Sequence, residues 1–341
     1  MFSSGGIAET YIDDTKIDIL LANEIVKERA DFYQYCYPNT NMIIGDISSE
    51  NVFKEYLKAA KKLSPTFLLA TPPCQGMSSL GKKDYESDER NFLIFKVIDI
   101  IENLNLDFIL IENVPKFFKL FFPYKGDLLG IIDILNIKFS KKYIIESDVL
   151  NAKDYGVAQS RPRAIIKMYK KGKKWGWPTK KDEITLREAI GHLPSLSPGE
   201  KSKIRYHHAI NHNERQINAM KHTAEGYSAM KNPIHYPKKI NGEKVSGFHN
   251  TYKRMKWDSP SPARATNNGL ISGHNNVHPG KKLEDGTWSD PRVLTLLETF
   301  IVSSLPIDWC LPKNSKESFI RLLIGEAIPP LMLKEILLQI K

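Results

Sequence analysis

Four short apolar runs, each followed by an acidic or nucleophilic residue, constrain the fold more than any other feature of the chain. Ile17-Asp18-Ile19-Leu20-Leu21 leads to Glu24, Asn41 to Ile44 to Asp46, Phe67-Leu68-Leu69 to Cys74, and Asp107 to Ile111 to Glu112. Runs of this length, rich in branched and aromatic side chains, read as buried strands. Helical stretches separate them: one reaching about Tyr37 before Pro38, a charged one from Glu50 to Lys62, and one from Asn91 to Asn103. That alternation is the signature of a parallel α/β sheet. The carboxyl ends of such strands share one edge, where ligands bind. A single acid past a strand is ordinarily a cap or a solvated loop residue, but Glu24, Asp46, Cys74 and Glu112 together predict a site. Tyr143 to Ile145 and Ala164 to Met168 supply further strands. Residues 170 to 290 lose the rhythm, and Phe319 to Lys341 is helical again. Pro329-Pro330 breaks this last stretch, leaving Leu331 to Ile340 as an amphipathic closing helix.

The third run continues into Ala70-Thr71-Pro72-Pro73-Cys74-Gln75-Gly76-Met77-Ser78. Two prolines stop the strand and stiffen the turn, so the thiol stands at a strand exit. A free cysteine is more often a small buried hydrophobe, but this setting points to chemistry. The three cysteines, Cys36, Cys74 and Cys310, are odd in number and far apart, which argues against a disulfide framework and a Cys-rich zinc site. A reducing cytoplasm is the expected location, where Cys74 stays a thiol. No run of about 20 apolar residues is present to span a membrane, and the N-terminus lacks the pattern of a signal peptide. The net charge of +10 and the pI near 9.2 suggest an anionic partner. Lys167, Lys170, Lys171, Lys173, Lys174, Lys180 and Lys181 crowd one segment, and all nine histidines lie between His192 and His278. This compositional shift near residue 167 predicts a second domain.

The nonapeptide around Cys74 closely resembles the nucleophile loop of the DNA (cytosine-5) methyltransferases of the bacterial restriction–modification type. Further blocks follow in that family's order: Glu112-Asn113-Val114, then Asn151 to Ala158 leading into Gln159-Ser160-Arg161-Pro162-Arg163. Tyr252 to Trp257, Thr266, Arg292 to Glu298 and Gly325-Glu326-Ala327-Ile328-Pro329-Pro330 continue the series. The resemblance implies a Rossmann-like α/β sheet that uses S-adenosyl-L-methionine, with a smaller irregular target-recognition domain. The catalytic and cofactor-binding domain would be 1–170, completed by 310–341, and the recognition domain 171–309. By the same resemblance Cys74 is the nucleophile, Glu112 grips the base, Arg163 holds the cytosine O2, and Arg161 supports the catalytic loop or backbone. Phe2, Gly5, Gly6, Glu24, Asp46, Ile47, Pro72, Glu326 and Ala327 would line the cofactor pocket. Ser78 to Arg90 resembles a loop that closes over DNA, and Gln75, Ser78, Arg90, Arg254 and Thr266 would contact DNA.

The chemistry fits these residue types. Carbon C5 of cytosine is a poor nucleophile. A thiolate adding to C6, with a proton supplied near N3, turns C5 into an enamine carbon able to attack a methyl sulfonium. Flipping the base out of the duplex calls for phosphate anchors, for which the lysine cluster offers candidates. No metal is expected, although His208 and His212 have helical spacing for a pair of ligands. The expected partners are duplex DNA, bound by a monomer, and a cognate restriction endonuclease. Two rival readings remain: a tRNA cytosine-5 methyltransferase on the same scaffold, and a catalytically impaired DNA-binding relic. The relic is motivated by Ser4 and Ile7 at family glycine positions, by Glu326 in place of Asn, and by a first strand reduced to Met1.

Overall fold

Strand β1 (Leu21–Glu24) pairs in parallel with β2 (Asn41–Ile44), and β3 (Phe67–Ala70) pairs in parallel with β4 (Phe108–Asn113). These assignments come from a computed structural model that describes residues 1–73, 89–309 and 311–341. Two expected boundaries move. Residues 17–20 only lead into β1, whose ladder begins opposite Asn41, and β4 runs two residues beyond Ile111, so Glu112 and Asn113 lie inside it. The expected parallel order also changes at one side. β9 (Pro162–Lys170) runs antiparallel to both β4 and β7 (Tyr143–Asn151), giving the order β3-β4-β9-β7.

The first strand looked truncated in the sequence, and the first three residues make up the deficit. Ser3 N–H donates to the Asn23 carbonyl of β1 at 2.9 Å. On the other side, Met1 N donates to Leu69 O of β3 at 2.8 Å, and Thr71 N–H to Met1 O at 3.4 Å. Residues 1–3 are thereby bonded to both strands. Helices α1 (Lys27–Cys36), α2 (Glu50–Leu63), α3 (Leu93–Asn103) and α4 (Ile131–Phe139) alternate with the strands, and a hairpin of β5 (Phe121–Tyr124) and β6 (Asp127–Gly130) precedes α4. Ser49 caps α2 by accepting from Val52 N–H, and Lys61 and Lys62 favour its C-terminal end. The apolar face of α3, with Val97, Ile98 and Ile101, joins Leu68, Ile109, Ile111, Ile166 and Met168 in one buried cluster.

Two compact units result. One comprises Met1–Asn151, Pro162–Thr179 and Leu333–Lys341, and the other Ala152–Arg161 and Lys180–Met332. The division differs from the sequence expectation at three places. Residues 171–179 belong with the first unit because Trp175 packs edge-on to Phe67, Phe108 and Tyr169 and donates its indole N–H to Ile336 O. Residues 152–161 belong with the second, where β8 (Gln159–Ser160) pairs in parallel with β10 (Ser261–Pro262). Helix α8 (Glu317–Glu326) belongs there too. A Cβ on Gly325 would stand 2.5 Å from the Ala265 carbonyl, so the helix lies directly on that backbone.

The second unit has little regular structure. Its short helices α5 (Leu186–Ile190), α6 (Glu214–Lys221) and α7 (Leu296–Val302) each begin with a capping box, at Thr185/Glu188, Asn213/Gln216 and Thr295/Glu298. Two modest apolar clusters, around Tyr252 and Val293 and around Trp257 and Leu294, are joined by buried charge. Arg292 pairs with Glu298 at 2.8 Å and Asp290 at 2.9 Å, all three fully enclosed. Arg321 donates to Glu317, Asn268, Thr299 and the Leu294 carbonyl. Among the described residues no helix is long and apolar enough to cross a membrane.

This network makes the second unit acid-sensitive. Burial opposes the charge of Glu298, but Arg292, His278 and the Thr295 N–H together hold it down to about 2 from an ordinary 4.5, so its contribution is present above about pH 4.5 and lost as pH falls toward 2. Burial lowers His278 from 6.5 to about 4, so its contribution is lost as pH falls from 6.5 toward 4. Removing one partner of a buried pair costs about 3–5 kcal/mol. Glu298→Ala is therefore expected to destabilise the protein by that amount in denaturant unfolding at pH 7, and by much less at pH 3.

Candidate active site

In the first unit the carboxyl ends of β3 and β4 lie side by side, with Ala70 opposite Ile111. The two extra residues of β4 pair with β9, Glu112 opposite Ile165 and Asn113 opposite Ala164. Arg163 follows on β9, and its Nε lies 2.8 Å from Glu112 Oε1, both side chains being about one-tenth exposed. Burial lowers the Arg163 pKa, and the Glu112 carboxylate opposes that effect. A guanidinium in this position fixes the carboxylate's orientation. Asn113, which the sequence reading did not single out, donates from Nδ2 to the Pro72 carbonyl at 3.1 Å and accepts from Val114 N–H at 2.8 Å. It ties the exit of β3 to the exit of β4, one peptide before Pro73. Its only signal in the sequence is its place directly after Glu112. Cys74, Gln75 and Ser78 lie outside the described residues. Arg90 is exposed in a 3-10 turn, Glu89–Phe92.

At the ends of β1 and β2 the same unit assembles a second group. Glu24 is buried, with Oε2 accepting from Ser4 N–H and Oε1 from Val26 N–H, both at 2.9 Å. The 1–6 loop turns through left-handed backbone at Phe2, Ser4 and Gly6, with φ of 60°, 47° and 73°. Ser4 thus adopts a left-handed conformation that a glycine would take more readily, at a cost of about 1–2 kcal/mol. Gly5 is buried, and Gly6 is boxed in: a Cβ there would stand 2.5 Å from the Tyr37 ring and 2.8 Å from that of Tyr33. Tyr37 O–H also donates to Gly6 O at 2.7 Å. Asp46 is exposed past β2, its Oδ1 accepting from Ser48 N–H, and Ile47 is buried beside it. Phe2, Gly5, Gly6, Glu24, Asp46, Ile47 and Pro72 therefore share one unit.

Other expected site residues belong to the second unit. Arg161 is buried and donates to the carbonyls of Arg264 at 2.8 Å and Gly325 at 2.6 Å, so it braces backbone there. Residues two apart on a regular strand share a face, but Arg161 lies between β8 and β9, outside both, and has partners different from those of Arg163. Gln159 is a second brace that the sequence reading did not assign, donating to Val302 O and Ser303 Oγ and accepting from Arg264 N–H. Glu326 and Ala327, at the end of α8, are half-buried, and Thr266 is exposed. Arg254, expected on DNA, is instead fully buried, donating to the carbonyls of Thr223, His278, Ser289 and Met220. A guanidinium so enclosed has no face for a phosphate, and that role is not carried forward.

The lysine cluster is likewise partly internal. Lys167 is buried between Glu146 and Trp177, while Lys170 and Lys173 pair with Asp107, and Lys180 with Asp154. His208 faces Glu317, and His212 accepts from Val293 N–H, so the two rings do not converge.

The family description C-5 cytosine-specific DNA methylase matches residues 1–341. The chain is 46% identical to the type II methyltransferase M1.HgaI of Avibacterium volantium, covering all of this chain and 96% of that one. It is 27% identical to the type II methyltransferase M1.HphI of Haemophilus parahaemolyticus, covering 98% and 84%. A crystal structure of Spodoptera frugiperda DNMT2 superposes with a TM-score of 0.64 at 17% identity, over 98% of this chain and 97% of that one, which shows a shared fold.

The packing around Gly6 yields a direct test. Gly6→Ala must move two tyrosine rings and adopt φ near 73°, so a loss of about 2–4 kcal/mol in denaturant unfolding is expected.

Proposed function

The chain belongs to the C-5 cytosine-specific DNA methylase family and is a DNA cytosine-5 methyltransferase, and from that premise we propose that Cys74 and Glu112 carry its chemistry within a type II restriction–modification system. The observation that carries the reading is the convergence at one sheet edge of Glu112, its Arg163 partner, and Asn113 bonded to Pro72.

Cys74 is the nucleophile in this reading, and its thiolate adds to C6 of a cytosine swung out of duplex DNA. Glu112 holds the N3 edge and delivers the proton there, while Arg163 orients Glu112 and meets the cytosine O2. The electron pair displaced from the C5–C6 bond makes C5 an enamine carbon, which takes the methyl group. A base, water in this reading, then takes the C5 proton, the C5–C6 double bond re-forms as the thiolate leaves, and the N3 proton returns to Glu112, which restores the ring. The residues at the ends of β1 and β2 suit S-adenosyl-L-methionine: Glu24 for the ribose hydroxyls, Asp46 with Ile47 for the adenine, and the 1–6 loop for the amino-acid part. When bound, that group supplies an electrophilic methyl on a sulfonium. The left-handed Ser4 and the double bonding of residues 1–3 support a functional loop rather than a relic. Thr266, Arg90, Gln75 and Ser78 remain candidates for DNA contact, and Glu326 and Ala327 for completing the cofactor site. The catalytic role falls to the first unit and target recognition to the second. The protein acts on DNA as a monomer in the cytoplasm, alongside an endonuclease of the same specificity.

Nucleoside mass spectrometry after incubation with duplex DNA and S-adenosyl-L-methionine is expected to show new 5-methylcytosine with the wild type and none with Cys74→Ala. Glu112→Gln, which keeps shape and loses the acid, should slow methylation by about 10²–10⁴-fold. Product from Cys74→Ala at the wild-type rate would overturn the assignment.

A further inference from the structure

The second unit carries a hairpin that its own packing does not explain. Between Gly226 and Trp257 seven Lys and Arg residues stand against a single acid, Glu243. Residues 237–245 fold back on themselves: Val245 N–H donates to Pro237 O at 2.9 Å, and Lys239 N–H to Glu243 O at 2.8 Å. The turn closes with Gly242 N–H on Lys239 O at 3.1 Å, and Gly242 takes a φ of 85°. The base of the hairpin is fixed by buried Pro237 and by Tyr236, whose ring has Lys238 Nζ at 5.1 Å and Lys244 Nζ at 5.3 Å. At the tip, Ile240 is 89% exposed and Asn241 is exposed beside it. An isoleucine so placed contributes nothing to the core, and the neighbouring Ile234 and Phe248 are also exposed. Such a surface marks an interaction site.

We propose that this hairpin is the DNA-reading finger of the second unit, with Ile240 and Asn241 meeting base edges in the major groove and Lys238, Lys239 and Lys244 on the flanking phosphates. The inference rests on the DNA methyltransferase reading and goes beyond it by naming the element that discriminates sequence. A two-stranded ribbon fits a major groove about 12 Å wide. The charge selects the occupant: three lysines around an apolar tip complement a polyanion. Phosphate contacts hold the ribbon in register, and the tip carries the sequence information. Lys239 reaches Glu243 at 2.9 Å in the free protein, and a phosphate replaces that carboxylate on binding.

The test uses the full-length protein, a duplex that the wild type methylates, and a scrambled duplex. Replacing Lys238, Lys239 and Lys244 together by Ala is expected to weaken binding to both duplexes and to flatten the dependence of log K on log salt by about 2–3. Ile240→Ala is expected to leave that slope unchanged and to reduce the preference for the methylated duplex by about 10-fold. Both proteins should keep the wild-type unfolding midpoint. Unchanged affinity, slope and preference in these variants would overturn the proposal, including the case in which they lose a protein partner instead. Absence of methylation of any duplex by the wild type would instead contradict the function on which the proposal rests.

Discussion

The antiparallel ladder between β4 and β9 is the constraint on which the site depends. It carries β4 past its parallel partner β3, so that Glu112 and Asn113 are held by main-chain bonds as well as by their side chains. Arg163 arrives at Glu112 from the same ladder, and the 2.8 Å ion pair follows from strand register. Had β9 slipped by one residue, every side chain on it would have changed face, and Pro162 or Ala164 rather than Arg163 would have stood at that place. Asn113 extends the constraint sideways by fixing the Pro72 carbonyl. The chain at Pro72, two residues before Cys74 in the sequence, is thereby tied to the strand that bears Glu112.

The second unit solves a different problem with different means. It has few strands, and its apolar clusters are small. Four arginines, Arg254, Arg264, Arg292 and Arg321, are among its most deeply buried side chains. Each guanidinium offers five donors in a planar fork, enough to satisfy loop carbonyls that no sheet or helix satisfies. Arg254 alone donates to the carbonyls of five separate residues. Irregular backbone is held in place by buried side-chain forks, which leaves exposed residues such as Ile240 and Asn241, at the tip of the 237–245 hairpin, outside the core.

Much of this was legible in the sequence. The strand and helix alternation over the first 113 residues follows from apolar runs and breakers, and β2, α2 and β3 fall within a residue of expectation. Glu24, Asp46 and Glu112 could be placed at strand ends for the same reason. Long-range features were not legible. Composition did not tell Arg161 from Arg163; the resemblance gave them separate roles, and their actual partners depend on residues 103 to 164 positions away in one case and on the β4–β9 ladder in the other. Arg254 read as a DNA contact through the resemblance of its stretch, and its burial depends on carbonyls brought together from residues 220 to 290. The first strand seemed missing because its pairing, by residues 1–3 to both β1 and β3, is too short to give a periodic signal.

The central claim is that Cys74 attacks C6 of the target cytosine. A duplex carrying 5-fluorocytosine tests it most directly, because fluorine at C5 cannot leave as the proton does, and the adduct is trapped after methyl transfer. The account predicts a protein–DNA species that survives denaturation, forms only with S-adenosyl-L-methionine present, and maps to Cys74 on digestion. No covalent species, or one that maps to Cys36 or Cys310, would contradict it.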